Sequence, residues 1–167
     1  MFFYRIKQFY WNLCSKINDN DLEFLRNNLN ETEMKLFNKL SLSERKHSIR
    51  VAYDVEKICY RKNMDSKLLI KAALFHDIGK SLKRLNIIDK SIMVLLDKFT
   101  FGKMKKFNNC FKISKINIYY YHSKLGADIL RKSGFNEKII YFVENHDNKN
   151  IKDDKELNIL KYCDNNN

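Results

Sequence analysis

The sequence predicts an all-α fold, a single helical bundle, and three observations point to it. The 167 residues contain no proline and only four glycines, too few breakers for the many tight turns of a sandwich or barrel. Apolar residues recur at helical spacing, as in the stripe of His47, Val51, Val55 and Ile58. Ser, Asn or Asp stands ahead of most such runs, where its side chain can cap a helix. The length suits one domain with a sizeable core.

The first helix is predicted over residues 2–17, where Phe2, Ile6, Phe9 and Leu13 share a face and Arg5 and Lys7 lie off it. That face suits packing on the rest of the domain, or contact with a membrane surface. Residues 18–21 break this helix; Asp21 is expected to cap a second one running to Asn28, and residues 31–40 read as a third. Ser41-Leu42-Ser43-Glu44 has capping-box spacing and opens a long helix to Lys62. Ser66 is expected to cap the next helix, which ends at His76-Asp77 with Leu69, Ala72, Ala73 and His76 on one face.

Residues 81–121 are the least legible. A helix is predicted over 87–99, and the stretch FTFGKMKKFNNCFK after it mixes aromatic rings with Lys103, Lys105, Lys106 and Lys112. That stretch reads as a solvated loop with a few buried rings, or as a lid facing a phosphate-bearing substrate. His122 is expected to open another helix to Lys132, stopped at Gly134, with Leu125, Gly126, Ile129 and Leu130 beside it on one face. Asn136 caps the next, where Ile139, Phe142, Val143 and His146 align. Asp153 or Asp154 caps the last, where Leu157, Leu160 and Asp164 align, and Asn165-Asn166-Asn167 is a polar tail expected to fray.

The net charge is +12. It suits an anionic partner, whether nucleic acid, a phosphorylated small molecule or an anionic membrane. The lysines are spread along the whole chain, so biased composition accounts for it as well. Cys14, Cys59, Cys110 and Cys163 lie far apart with no CxxC pair. They read as reduced core thiols of a cytoplasmic protein rather than a disulfide frame or a zinc knuckle. No segment reaches the roughly 18 apolar residues of a membrane span. MFFYRIKQFYWNLCSKI lacks the long aliphatic run and small-residue cleavage site of a signal peptide.

From Leu68 to Phe75 only Lys71 is polar, which marks a helix buried on most sides. That run ends in Leu74-Phe75-His76-Asp77-Ile78-Gly79-Lys80. Burying an imidazole and a carboxylate there costs desolvation, which a divalent metal offsets by taking both as ligands. A satisfied core histidine beside a capping carboxylate is the alternative. Gly79 is expected to take the left-handed conformation that ends a helix, and Lys80 to leave the core. The rest of the chain favours the metal. All four histidines, His47, His76, His122 and His146, lie on the apolar side of a predicted helix near one end of its stripe. Asp77 and Asp164 join them, and the inward faces of a helical bundle hold such ligands rigidly.

The order His47, His76-Asp77, His122, His146, Asp164 resembles the HD superfamily of metal-dependent phosphohydrolases, and His76 to Lys80 matches its HDIG form. The resemblance covers residues 43–164, the HD domain, and leaves 1–42 as an N-terminal helical extension packing on it. It implies an all-α bundle with a metal site at its centre, held by His47, His76, Asp77 and Asp164. In two-metal branches the positions of His122 and His146 bind a second ion and that of Asp77 bridges the pair. All six residues are present, so two divalent transition-metal ions are expected, with Fe, Mn, Co, Ni or Zn suiting imidazole and carboxylate ligands.

Two departures matter. Ser123 follows the third histidine where many members have proline, and the GYP motif of cyclic-di-GMP phosphodiesterases is absent after His146. The second argues against a cyclic-di-GMP substrate. The residue set is similar to that of small nucleotide hydrolases of the superfamily, including the diadenosine tetraphosphate hydrolase branch. The resemblance thus implies cleavage of a nucleotide or related phosphoester by metal-activated water. Lys80 would stabilise charge as the P–O bond breaks, and Arg50, one turn after His47, would bind a second phosphate. Either could instead be a solvated helix residue. Two other classes stay open: mixed-valent di-iron oxygenases with the same ligands, and a non-catalytic module binding a ligand or nucleic acid.

Overall fold

In the computed structural model, residues 16–82 and 114–167 are described. The predicted helices over 2–17 and 87–99 (residues 16 and 17 apart), residues 99–113 of the basic and aromatic stretch, Cys14 and Cys110 lie outside them. The described residues form helices α1 (Asp19–Asn28), α2 (Glu31–Phe37), α3 (Leu42–Arg61) and α4 (Lys67–Phe75), a short 3-10 helix (Ile78–Leu82), then α5 (Ser114–Lys132), α6 (Glu137–Asn145) and α7 (Lys155–Asn166). None of them is a strand, as an all-α fold requires.

Local side-chain chemistry sets most of these ends. Three successive helices open on capping boxes: Asn18 with Asp21, Asn30 with Glu33, and Ser41 with Glu44. Asp21 is therefore not the cap. Its carboxylate accepts from the Asn18 N–H at 2.9 Å while Asn18 accepts from Asp21 N–H, so α1 starts three residues earlier than a cap at Asp21 would place it. Ser66 makes no side-chain cap either; Asp65 Oδ1 accepts from Lys67 N at 3.0 Å instead. Asn136 and Asp154 cap α6 and α7 as expected. Gly134, at φ +73°, is the left-handed residue beyond α5. The C-terminal asparagines are not a frayed tail: α7 continues to Asn166, and buried Asn167 donates to Asp54 Oδ2 at 2.7 Å and to Cys163 O at 3.0 Å.

One apolar core runs through the described helices. α3 packs on α4, α4 on α6, and α7 on α3. Phe75 anchors the centre, with its ring edge-on to Phe37 and to Phe135. Phe24, Leu25, Leu29, Leu36 and Leu40 belong to the same core. Ion pairs reinforce that join, from Asp21 to Lys46 and from Glu33 to Lys71. Cys59 and Cys163 are buried free thiols, as read from the sequence. No helix among the described residues is long and apolar enough to cross a membrane.

The contact that positions the site is backbone on backbone. The 3-10 helix lies against α5, and a Cβ on Gly79 would sit 2.0 Å from His122 O and 2.8 Å from Gly126 N. Gly126 returns the fit, since its own Cβ would meet Gly79 N at 3.2 Å. Gly79 has no positive φ, so it is glycine for this close approach and not for a left-handed helix end. Gly79→Ala is expected to push the 3-10 helix off α5 and to lower stability by about 1–3 kcal/mol. Urea unfolding of the metal-free protein measures this, and an unchanged midpoint would show that the two backbones can part without cost.

Candidate metal centre

Each histidine is delivered by its helix in a particular way. His76 and His146 are the C-cap residues of α4 and α6, and both of those helices are nine residues long. His47 stands in the second turn of α3. His122 lies in the middle of α5, which begins at Ser114, so the expectation that His122 opens its helix does not hold. Its apolar neighbours Gly126, Ala127 and Leu130 mark the buried face, but the two upstream turns fall at the end of the least legible stretch, residues 81–121.

Three of the rings are fixed by the same hydrogen bond. Nδ1 of His76 donates to Ala73 O at 2.8 Å, that of His122 to Tyr119 O at 3.0 Å, and that of His146 to Val143 O at 2.7 Å. A carbonyl oxygen can only accept, so the proton of each neutral ring is held at Nδ1. The Nε2 lone pairs then point to a common centre with the carboxylates. His47 Nε2 lies 3.0 Å from Asp164 Oδ1, and His76 Nε2 lies 3.3 Å from the same oxygen. Asp77 turns one oxygen to each side: Oδ2 is 3.5 Å from His76 Nε2 and 4.0 Å from His47 Nε2, while Oδ1 is 3.4 Å from His122 Nε2. The structure thus brings all six sequence-predicted ligand residues together.

Lys80 does not leave the core as the sequence suggested. Its side chain folds back, and Nζ donates to Asp77 Oδ2 at 2.6 Å. That side chain keeps 24% exposure, whereas that of Asp77 has 3%, so the ammonium is at the rim and the carboxylate inside. Arg50 is half-buried on α3, one turn beyond His47.

The electrostatics are those of a site short of positive charge. Burial would raise the Asp77 carboxyl, but Lys80 first, then His76, His122 and His47, hold it well below the usual carboxylate range. Burial opposes Asp164 in the same way, and His76 and His47 hold it low. Burial would also depress His76, yet Asp77 and Asp164 raise it to about 9. His47 and His146 go the other way, lowered by burial and by repulsion from His76. Asp77 and Asp164 thus draw positive charge to His76, the kind of charge a dication would supply. Lys80, drawn to Asp77 against the effect of its burial, rises to about 12 and stays charged.

The donor set fits a metal. His76 Nε2 and His146 Nε2 are buried and have no hydrogen-bond partner among the described residues. Unpartnered buried nitrogens are costly unless something occupies them. Metal-ligating histidines commonly spend their other nitrogen on a carbonyl, as these do. Among the described residues, three groups have ligand atoms within 4.8 Å of one another: His47, His76 and Asp164; His76, Asp77 and His146; and His122, His146 and Asp147.

Asp147 was not singled out by sequence reasoning. Its Oδ2 lies 3.0 Å from His122 Nε2 and 3.6 Å from His146 Nε2. The signal was present, because His146-Asp147 repeats the dipeptide His76-Asp77 at the end of another helix.

This is an all-α domain whose helices converge histidine nitrogens and carboxylates into a site of metal-binding type. The family model described as HD domain matches residues 45–165, and the chain belongs to that family, a superfamily of metal-dependent hydrolase type. No curated protein and no solved structure matches the chain significantly.

Proposed function

We propose that this protein is a metal-dependent phosphohydrolase acting on a nucleotide or a related phosphoester. The observation that carries the reading is the pairing of two features: Nε2 lone pairs and carboxylates that require a cation, and a lysine ammonium 2.6 Å from the central carboxylate, at the rim. His47, His76, Asp77 and Asp164 would hold one divalent ion, and His122 and His146 a second, with Asp77 shared. Bound there, such ions supply Lewis acidity and a nucleophile from water at neutral pH. Lys80 then faces the charge that develops on the phosphoryl oxygens, and Arg50 is placed to bind another phosphate. Burial of His76, His146 and Asp77 keeps bulk water from competing for these charges. The net charge of +12 favours an anionic substrate, and the setting we assign is cytoplasmic. Residues 1–42 we take as an extension of the domain, supported by the burial of Phe24, Leu25, Phe37 and Leu40 in the common core.

Metal-stripped protein is expected to release no phosphate from a panel of nucleotides and phosphoesters. Restoring Mn, Fe, Co, Ni or Zn should activate cleavage of at least one of them under anaerobic conditions. Oxygen consumption with Fe(II) and no phosphate release would instead indicate an oxygenase with the same ligands. Silence in both assays with metal bound would leave a binding module.

A further inference from the structure

The histidine ligands on the α5–α6 side stand beside a carboxylate that the six-residue set does not include. We infer that Asp147 is a ligand of the second ion, so that this position is held by His122, His146 and Asp147 together with the shared Asp77. The inference rests on the two-ion reading above and adds a residue to it.

The geometry argues for it in three steps. First, the Nδ1–H of His122 is donated to Tyr119 O, so Nε2 of the neutral ring presents a lone pair. Asp147 Oδ2 lies 3.0 Å from that nitrogen. Two acceptors at hydrogen-bond distance repel unless a proton or a metal ion is shared between them. Second, His146 Nε2 is buried, has no hydrogen-bond partner among the described residues, and lies 3.6 Å from the same carboxylate oxygen. Two imidazole nitrogens and one oxygen therefore face a common point. Third, Asp147 follows the C-cap of α6, where the helix dipole disfavours a negative charge. Asp77 stands in the equivalent place after α4. In both places the bond from histidine Nδ1 to the carbonyl three residues earlier turns Nε2 toward the carboxylate. The two helix ends thus present the same pair of ligand types to opposite sides of the cluster.

A third carboxylate changes the chemistry of the second position. It adds one negative charge and one hard oxygen donor, which shifts preference toward harder dications such as Mn(II) and Fe(II) relative to a position held chiefly by histidine. It also stands on the open side: the Asp147 side chain is 51% exposed, against 3% for Asp77. An ion at this position can therefore load or exchange from solvent without opening the core.

The test is a titration of chelator-stripped full-length protein with Mn(II) alone, and with Co(II) for its visible spectrum. Wild type is expected to take up two ions. Asp147→Ala should bind the first ion as wild type does, while the second binds at least about tenfold more weakly. Asp147→Asn retains the size and an oxygen of the side chain but loses its charge. It should show the same loss, with a changed Co(II) absorption for the second equivalent. Metal-free unfolding temperatures of both variants should not fall below wild type, because the side chain is half exposed and its charge is unfavourable at the end of α6 without an ion. Two ions bound with wild-type affinity in both variants, or full rescue by Asn, would overturn the inference while leaving the two-ion reading intact. A single ion in wild type under every metal would overturn both.

Discussion

Asp77→Ala is expected to remove bound metal and hydrolytic activity together. Its two oxygens face different histidines, Oδ2 toward His76 and His47 and Oδ1 toward His122, so a single deletion strikes both halves of the cluster. It also takes away the strongest of the attractions that raise His76. The metal-free variant therefore has less need of a proton at the centre and should still fold, because Lys80 is at the rim and can turn to water. Metal analysis of protein purified without chelator, with phosphate release measured on the same samples, checks the expectation. Activity should fall to the level of metal-stripped wild type. Full metal content in the variant would mean that the ions sit elsewhere and that Asp77 is a buried partner of Lys80 and nothing more.

Lys80→Ala should separate chemistry from metal binding. Lys80 offers a preorganised cation and no ligand atom to a metal, and its only role in the proposed reaction is to face charge that develops in the transition state. Loss of one such donor typically lowers kcat by about 10²–10³-fold. Metal content should be unchanged, in contrast to Asp77→Ala. Lys80→Arg retains the charge but alters its reach and shape, so it should recover activity only in part. The pairing with Asp77 at 2.6 Å supplies a second reading, in which Lys80 merely neutralises a buried carboxylate. In that case Lys80→Ala would lower metal-free stability and leave kcat near wild type. Measuring unfolding and kinetics on the same preparations tells the two apart.

How legible the site was depends on the reach of the interaction concerned. His47, His76, His122, His146 and Asp164 could be found in the chain because each was read on an apolar helical stripe, and Asp77 because it directly follows one of these histidines; a polar ligand type on such a stripe shows in the sequence alone. The capping boxes at Ser41 and at Asn30 are contacts across three residues and equally local. The misplaced cap at Asp21 shows the limit of that method. Both members of a capping box are good cap residues, and only the direction of the bonds says which is which.

The sequence by itself determined the all-α class, the positions of most helices, and the kinds of residue available to hold a metal. These follow from helix period, caps and composition, whose forces act within a turn or two of the chain. Tertiary structure alone decided three things. Gly79 serves a backbone crossing with α5, since the atom it must not touch, His122 O, is more than forty residues away in sequence. Lys80 turns inward because the buried, ionised Asp77 gives it a partner that solvent cannot match. Asp147 comes within 3.0 Å of His122 because α5 and α6 pack together, and the spacing of two residues along a chain carries no information about the angle at which their helices meet.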